Sequence, residues 1–183
     1  LRALVALIVV RQIAEQITDP GLKEQADSLW RHCAEVAALA KVLAREFTTL
    51  DPESALFTGI VHEIDGFYLL SRAAYQKDLL EGEIDNTSRA TLSSGVLNAL
   101  KVPKLVTDAV IARFYVQLTL PPKTLADILV LANRLARCHS PLTDGTEPTN
   151  EREFDFTVGG KTLRGVLEDR STEIEALAEA LQV

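Results

Sequence analysis

Two neighbouring side chains, His62 and Glu63, have the chemistry of a buried metal or acid–base site. They follow an apolar run and stand shortly before Gly66. An imidazole ring and a carboxylate that are buried side by side are costly unless they pair with each other or bind an ion. The pair therefore indicates either a divalent-metal centre or the hydrogen-bonded remnant of one.

A second histidine, His32, lies in an earlier segment whose apolar residues cover a wide helical arc. A histidine on such a face usually hydrogen-bonds a carboxylate or a backbone carbonyl. His62 has Glu63 and Asp65 close by in sequence and can form such a bond without a metal. The structural interpretation is therefore favoured for both histidines, with bound metal as the alternative.

The elements that carry these residues are predicted to be helices, because apolar residues recur with a period near 3.6 along most of the chain. No alternation of strands and helices and no internal repeat is present. The fold class is therefore predicted to be all-α, a globular multi-helix bundle. The predicted helices cover residues 1–17, 22–47, 52–66, 67–80, 87–100, 103–118 and 124–139.

Helix boundaries are predicted from capping residues. Asp51 and Pro52 form a strong helix start, and Gly66 is expected to stop that helix. The sequence Asp19-Pro20-Gly21 is expected to end the first helix.

The chain of 183 residues is long enough for one domain with a hydrophobic core. We expect residues 1–183 to form a single helical domain. Within it, residues 140–160 are predicted to be a polar loop, with a short extended piece near its end. Residues 161–183 are predicted to be a C-terminal helical segment.

Composition excludes some classes of function. The net charge of −7 argues against nucleic-acid binding through a basic surface. The apolar run over residues 1–10 is interrupted by Arg2 and is too short to span a membrane. Cys33 and Cys138 stand among apolar residues and are interpreted as small buried residues in a reducing cytoplasm.

Several short motifs follow one another along the chain. They are Leu29-Trp30-Arg31-His32, Glu35-Val36-Ala37 with Ala40, Gly59-Ile60-Val61-His62-Glu63-Ile64, Ala99-Leu100-Lys101-Val102-Pro103 and Ile128-Leu129-Val130-Leu131-Ala132-Asn133. In this order they resemble the HDOD branch, the HD-related output domains, of the HD superfamily. The resemblance covers roughly residues 1–139. The resemblance implies an HD-type helical fold. It also implies further N-terminal helices, so an N-terminally truncated domain is expected.

HD phosphohydrolases resemble this pattern but bind a divalent metal through a histidine, a His-Asp doublet and a distant aspartate. Carried over by resemblance, those positions are His32, His62, Glu63 and Asn133. Related phosphodiesterases add histidines where this chain has Arg113-Phe114-Tyr115.

The departures from that pattern weaken a metal site. Glu63 is one methylene longer than aspartate, which moves its carboxylate by about 1.5 Å, whereas metal–ligand distances tolerate roughly 0.2 Å. Asn133 replaces an anion with a neutral amide. We therefore expect no catalytic residues and no cofactor. If a divalent metal binds at all, the relic site is His32, His62, Glu63 and Asn133.

The resemblance implies a non-catalytic bacterial signal-transduction domain in the cytoplasm, acting through protein partners or covalently linked signalling domains, with a homodimer as one possibility. Two alternatives stay open. One is a metal-dependent phosphohydrolase or phosphodiesterase, and the other is a nucleotide sensor that uses the relic cleft.

Two further groups of residues are interpreted as structural. Gly159-Gly160-Lys161-Thr162 resembles the end of a phosphate-binding loop, but the glycine that the full motif requires is Asp155. It is predicted to be a turn and a helix start. Arg134, Arg137 and His139 are expected to complement a helix C-terminus.

Overall fold

Helices make up most of the chain, and they are the elements that position the histidines. The computed structural model describes residues 2–73, 75–76, 84–142 and 154–182. The sheet in the described part of the chain is a two-stranded antiparallel hairpin of β1 (Thr157–Val158) and β2 (Lys161–Thr162). The all-α prediction is confirmed. The helices are α1 (Arg2–Glu15), α2 (Pro20–Phe47), α3 (Pro52–Val61), α4 (Ile64–Ala73), α5 (Asn86–Ala99), α6 (Lys104–Ala112), α7 (Leu125–Leu135), α8 (Leu163–Asp169) and α9 (Ser171–Ala180).

The central element is α2, which is 28 residues long. Its wide apolar arc is buried because α1, α3, α4, α7 and α9 all pack against it. His32 lies on this helix and is therefore placed in the interior. Among the described residues, no helix has both the length and the apolar character needed to cross a membrane.

The prediction that Asp19, Pro20 and Gly21 end the first helix is wrong. Helix α1 ends at Glu15, and these residues begin α2. The Asp19 carboxylate accepts the backbone N–H groups of Gly21 and Leu22, at 3.0 and 3.1 Å. A capping acid followed by proline favours a helix start, because it satisfies or removes N–H groups that have no partner within the helix.

Helix α3 begins as predicted, since the Asp51 carboxylate accepts the backbone N–H of Ser54 at 2.9 Å. The prediction that Gly66 stops it is wrong. Helix α3 ends at Val61, and Gly66 lies inside α4. A Cβ atom on Gly66 would lie 2.7 Å from Leu142 Cδ1 and 3.0 Å from Leu29 Cδ2. Glycine is therefore used here for close packing, rather than for a C-terminal cap.

Two helices end earlier than predicted. Helix α6 ends at Ala112 and α7 at Leu135, whereas the periodic patterns extend to residues 118 and 139. Helix α4 ends at Ala73, and residues 74 and 77–80 of the helix predicted there lie outside the described residues. After α7, a contact in space takes over from the helix, because the backbone N–H groups of Arg137 and Cys138 bond the Glu35 side chain of α2.

The C-terminal segment packs onto α2. Gly159 and Gly160 have φ angles of 58° and 81°, as the tight turn of a hairpin requires. The turn and helix start predicted there are therefore present. Residues 143–153, most of the predicted polar loop, lie outside the described residues. Helix α9 is joined to α2 by the Trp30 indole N–H, which donates to the Leu181 carbonyl at 3.0 Å.

Candidate functional site

His32 and His62 meet in the interior, between α2 and the end of α3. His32 is 2% exposed, and His62 is fully buried. Their Nε2 atoms are 3.3 Å apart, and their ring centroids are 5.2 Å apart. The structure therefore brings together the two histidines that the sequence singled out.

A close approach of two helices makes this meeting possible. A Cβ atom on Gly59 of α3 would lie 2.4 Å from the Cα atom of Ala37 on α2. That separation is too short for any side chain, so glycine lets the two backbones touch. His62 follows Gly59 by less than one helical turn and is carried to the surface of α2 beside His32.

Both histidines donate their Nδ1 hydrogen to a backbone carbonyl. Nδ1 of His32 lies 2.7 Å from the Cys138 oxygen, and Nδ1 of His62 lies 2.6 Å from the Gly59 oxygen. A carbonyl can only accept, so each Nδ1 must carry a hydrogen. In neutral rings the two Nε2 atoms then face each other with lone pairs. That arrangement favours either a proton on one ring or a cation between the two.

The surroundings disfavour a proton on His62. Burial, and then the positive charge of Arg113, lowers the pKa of His62 to about 3. His62 is therefore neutral at neutral pH and offers a lone pair.

Two arginines from other helices bind the carboxylates of Glu63 and Asp65. Arg89 of α5 donates from Nε to Asp65 at 2.6 Å and from Nη2 to Glu63 at 2.8 Å. Arg113, just after α6, donates from Nη1 to Glu63 at 2.8 Å and from Nη2 to Asp65 at 3.1 Å. Each carboxylate oxygen therefore accepts a guanidinium N–H. We call these four residues the arginine–carboxylate cluster.

The cluster carries two negative and two positive charges, so they cancel. Burial opposes the ionisation of Glu63, but the charges of Arg113 and Arg89 outweigh it and lower the pKa of Glu63. Burial and the nearby charge of Glu63 raise the pKa of Asp65, and the arginines offset this only in part. Glu63 is thus the firmly ionised acid of the two.

Further side chains close the cluster off. The Phe114 ring lies against both guanidinium groups, 4.4 Å from Arg113 Cζ and 5.6 Å from Arg89 Cζ. The Ser93 hydroxyl donates to Asp65 at 3.1 Å. Glu63 and Asp65 are 1% and 0% exposed as a result.

The metal-binding atoms of His32, His62 and Glu63 all lie within 4.8 Å of one another. Oε1 of Glu63 is 3.9 Å from Nε2 of His62, but both Glu63 oxygens already accept arginine N–H groups. A metal would need the negative charge that the arginines neutralise. Two imidazole nitrogens and an already neutralised carboxylate do not fit the anion-rich centre of the HD phosphohydrolases.

Asn133, the remaining residue of the predicted relic site, lies on α7 and is half-buried. Its Oδ1 atom is buried and has no hydrogen-bond partner among the described residues. A neutral amide oxygen cannot supply the charge of the aspartate that it replaces.

Sequence reasoning did not identify Arg89 and Arg113. The available signal was the pair of acids, Glu63 and Asp65, on a segment predicted to be buried. Buried carboxylates require cationic partners. Arg113 also stands where the related phosphodiesterases have histidine.

Cys33 is buried as predicted, but the burial predicted for Cys138 is wrong, because that residue is exposed. The other residues interpreted as structural make local contacts. Arg137 Nη1 lies 3.6 Å from Glu175 on the surface, and the Arg134 guanidinium lies 5.5 Å from the Phe154 ring centroid. Lys161 Nζ bonds Glu46 at 2.6 Å.

Comparison with known proteins gives one match. A family model described as the HDOD domain matches residues 1–108 of the chain. No curated protein and no solved structure matches the chain. The matched range includes His32, His62, Glu63 and Arg89, and it ends before Arg113.

Proposed function

Because the chain belongs to the HDOD domain family, we propose that it is a non-catalytic regulatory domain. Its role is that of an output domain in bacterial signal transduction. It acts in the cytoplasm through contacts with protein partners or with signalling domains on the same chain. A homodimer is one form that such contacts can take, and light scattering of the purified protein tests it.

The observation that carries this proposal is the arginine–carboxylate cluster. Arg89 and Arg113 bind every oxygen of Glu63 and Asp65. The acid at the doublet position therefore has neither free charge for a metal nor a free oxygen to act as a base. Buried carboxylates whose oxygens are all paired in this way favour one arrangement of helices, which suits a domain that transmits signals by its shape.

One observation favours the metal-dependent alternative. The Nε2 atoms of His32 and His62 face each other with lone pairs at 3.3 Å. Two imidazoles bound to one tetrahedral zinc hold their nitrogens at about this separation. A divalent metal on the histidine pair is therefore the competing interpretation.

Metal analysis separates the two. The protein is purified without chelator, and its metal content and melting temperature are measured before and after treatment with EDTA. We expect well under one metal per chain and an unchanged melting temperature. His62→Ala and His139→Ala are compared, because His139 is exposed and serves as the matched control.

A stoichiometric divalent metal that is lost in His62→Ala, but retained in His139→Ala, would contradict the proposal. A thermal-shift series with nucleotides then tests the sensor alternative. A ligand that binds the folded state raises the melting temperature by mass action, and we expect no such rise.

A further inference from the structure

The segment that follows α7, residues 136–142, lies directly against the histidine pair, and we call it the strap. Its Cys138 carbonyl accepts the Nδ1 hydrogen of His32 at 2.7 Å. At its far end, Leu142 packs against Gly66 of α4. Ala136 and Ser140 are buried along it. The strap therefore supplies the hydrogen-bond partner that orients the His32 ring.

One side chain holds the strap in that position. The carboxylate of Glu35 accepts the backbone N–H of Arg137 at 3.0 Å and that of Cys138 at 2.8 Å. Glu35 lies three residues after His32 on α2, so both side chains project from neighbouring positions on the helix. A charged acceptor that takes two backbone donors forms a strong and directional clamp.

The backbone of Cys138 forms hydrogen bonds with two side chains of α2. Its N–H points to Glu35, and its carbonyl accepts from His32. The Glu35 carboxylate holds the two peptide groups that precede the Cys138 Cα atom, and this limits the directions that the Cys138 carbonyl can take. The carbonyl in turn decides that Nδ1 of His32 carries the hydrogen and that Nε2 faces His62.

The outer side of the strap does not border the core. Arg137, Cys138 and Glu35 line a cleft of about 220 Å³ between α2, the strap and α9. Glu35 is half-buried at this cleft. The strap can therefore move outward when the Glu35 clamp is removed.

We propose that Glu35 is a positioning residue for the histidine pair and that it acts through the backbone of Arg137 and Cys138. It holds the strap so that His32 keeps one tautomer, with its Nε2 lone pair directed at His62. The proposal concerns the hydrogen bonds of this chain and does not depend on whether the pair binds a cation.

Nitrogen-15 NMR of the histidine side chains tests this, because the chain has three histidines and a simple spectrum. In the wild type we expect His32 and His62 each to show the Nδ1-hydrogen tautomer. In Glu35→Ala we expect His32 to become a mixture of tautomers. His62 should not change, because its partner, the Gly59 carbonyl, lies within its own helical turn.

Hydrogen exchange provides a second readout. The amides of Arg137 and Cys138 lose a charged acceptor in Glu35→Ala. We expect their exchange to become at least about tenfold faster. Glu175→Ala is the matched control, since Glu175 lines the same cleft but contacts the Arg137 guanidinium rather than the backbone. It should leave both readouts unchanged.

Glu35→Gln retains the size of the side chain and one acceptor oxygen, so an intermediate effect is expected. It also carries the test if Glu35→Ala does not fold. Unchanged His32 signals in a folded Glu35 variant would overturn the proposal. So would equal changes at His32 and His62, because they would indicate a general loss of structure.

Discussion

At the residue scale, two arginine side chains neutralise the buried carboxylates at the centre of this domain. Each guanidinium of Arg89 and Arg113 bridges Glu63 and Asp65, so neither acid depends on a single partner. Replacing a whole buried ion pair with well-packed apolar residues need not lower stability. Removing only one member of the pair, however, leaves an uncompensated buried charge. The cluster is therefore sensitive to loss of any one member.

Arg113→Met tests this sensitivity. Methionine keeps part of the apolar stem but leaves Glu63 and Asp65 with one guanidinium between them. We expect the free energy of unfolding to fall by about 3–5 kcal/mol, as measured by urea denaturation. Lys104→Met is the control, because Lys104 pairs with Asp108 on the surface, with 86% of its side chain exposed.

The control should change stability by less than about 1 kcal/mol. A similar loss of stability in both variants would show that the buried cluster contributes no more to stability than a surface ion pair does.

The pKa of His62 predicts a dependence of stability on pH. Its folded pKa of about 3 lies below the ordinary value for histidine, so the unfolded chain binds the proton more readily. Stability is therefore full above about pH 6.5 and falls as the pH is lowered from there towards about 3, by up to about 1.4 kcal/mol per pH unit. Glu63, whose pKa is lowered, adds a further loss only below about pH 4.3.

Urea denaturation of the wild type and of His62→Gln between about pH 7 and pH 5 measures this slope. His62→Gln should lose most of this dependence of stability on pH, whereas His139→Gln should retain it. Parallel curves for the wild type and His62→Gln would contradict the assignment.

The sequence predicts the histidines of the site but not the arginines that bind its carboxylates. His32, His62 and Glu63 stand out because a histidine or a His-Glu doublet in an apolar segment is unusual. Arg89 lies on α5 and Arg113 just after α6, in segments with ordinary surface patterns. Which polar side chain turns inward depends on how α5 packs on α4 and how α6 packs on α5, and single-helix periodicity does not contain that information.

At the element scale, the contact between α2 and α3 determines whether the site forms. The two backbones touch at Ala37 and Gly59. The start of α3 is local chemistry, carried by Asp51 and Pro52, so the sequence predicts it. The end of α7 involves Glu35 of α2, which binds the backbone that follows the helix, and the periodic pattern does not contain that contact.

Gly59→Ala should force α2 and α3 apart. The added Cβ would lie 2.4 Å from a backbone atom that cannot rotate away. We expect a loss of about 3 kcal/mol or more in urea denaturation, or failure to fold. Gly95→Ala is the matched control in α5, where a Cβ meets nothing within 4 Å.

Gly95→Ala should be neutral or stabilise by up to about 1 kcal/mol, because alanine favours a helix. Equal effects at the two glycines would contradict the role given to the α2–α3 contact.

At the scale of the whole molecule, the core extends past the range that the family model matches. The match ends at residue 108, but α7 buries four large aliphatic side chains, and both α7 and α9 pack on α2. Burial of these four is worth about 6–12 kcal/mol in total, similar to the whole stability of a typical domain. They are Leu125, Ile128, Leu129 and Leu131.

A fragment of residues 1–112 is therefore expected not to fold cooperatively. Circular dichroism during urea denaturation should show a broad, non-sigmoidal loss of helix, whereas the full chain should show one sharp transition. This comparison tests the prediction that residues 1–183 form one domain. A sharp transition in the fragment would indicate instead that the chain contains more than one folding unit.

The arginine–carboxylate cluster also has a consequence for the order of folding. Its bonds join residues 24 to 50 positions apart, which lie just before and on α4, on α5 and just after α6. A partly assembled cluster would bury an unpaired ion, which is costly. We therefore expect the cluster to form late in folding, so that its loss speeds unfolding more than it slows folding. On that expectation, the charges at the centre of this domain set its lifetime in the native state rather than the speed with which that state is reached.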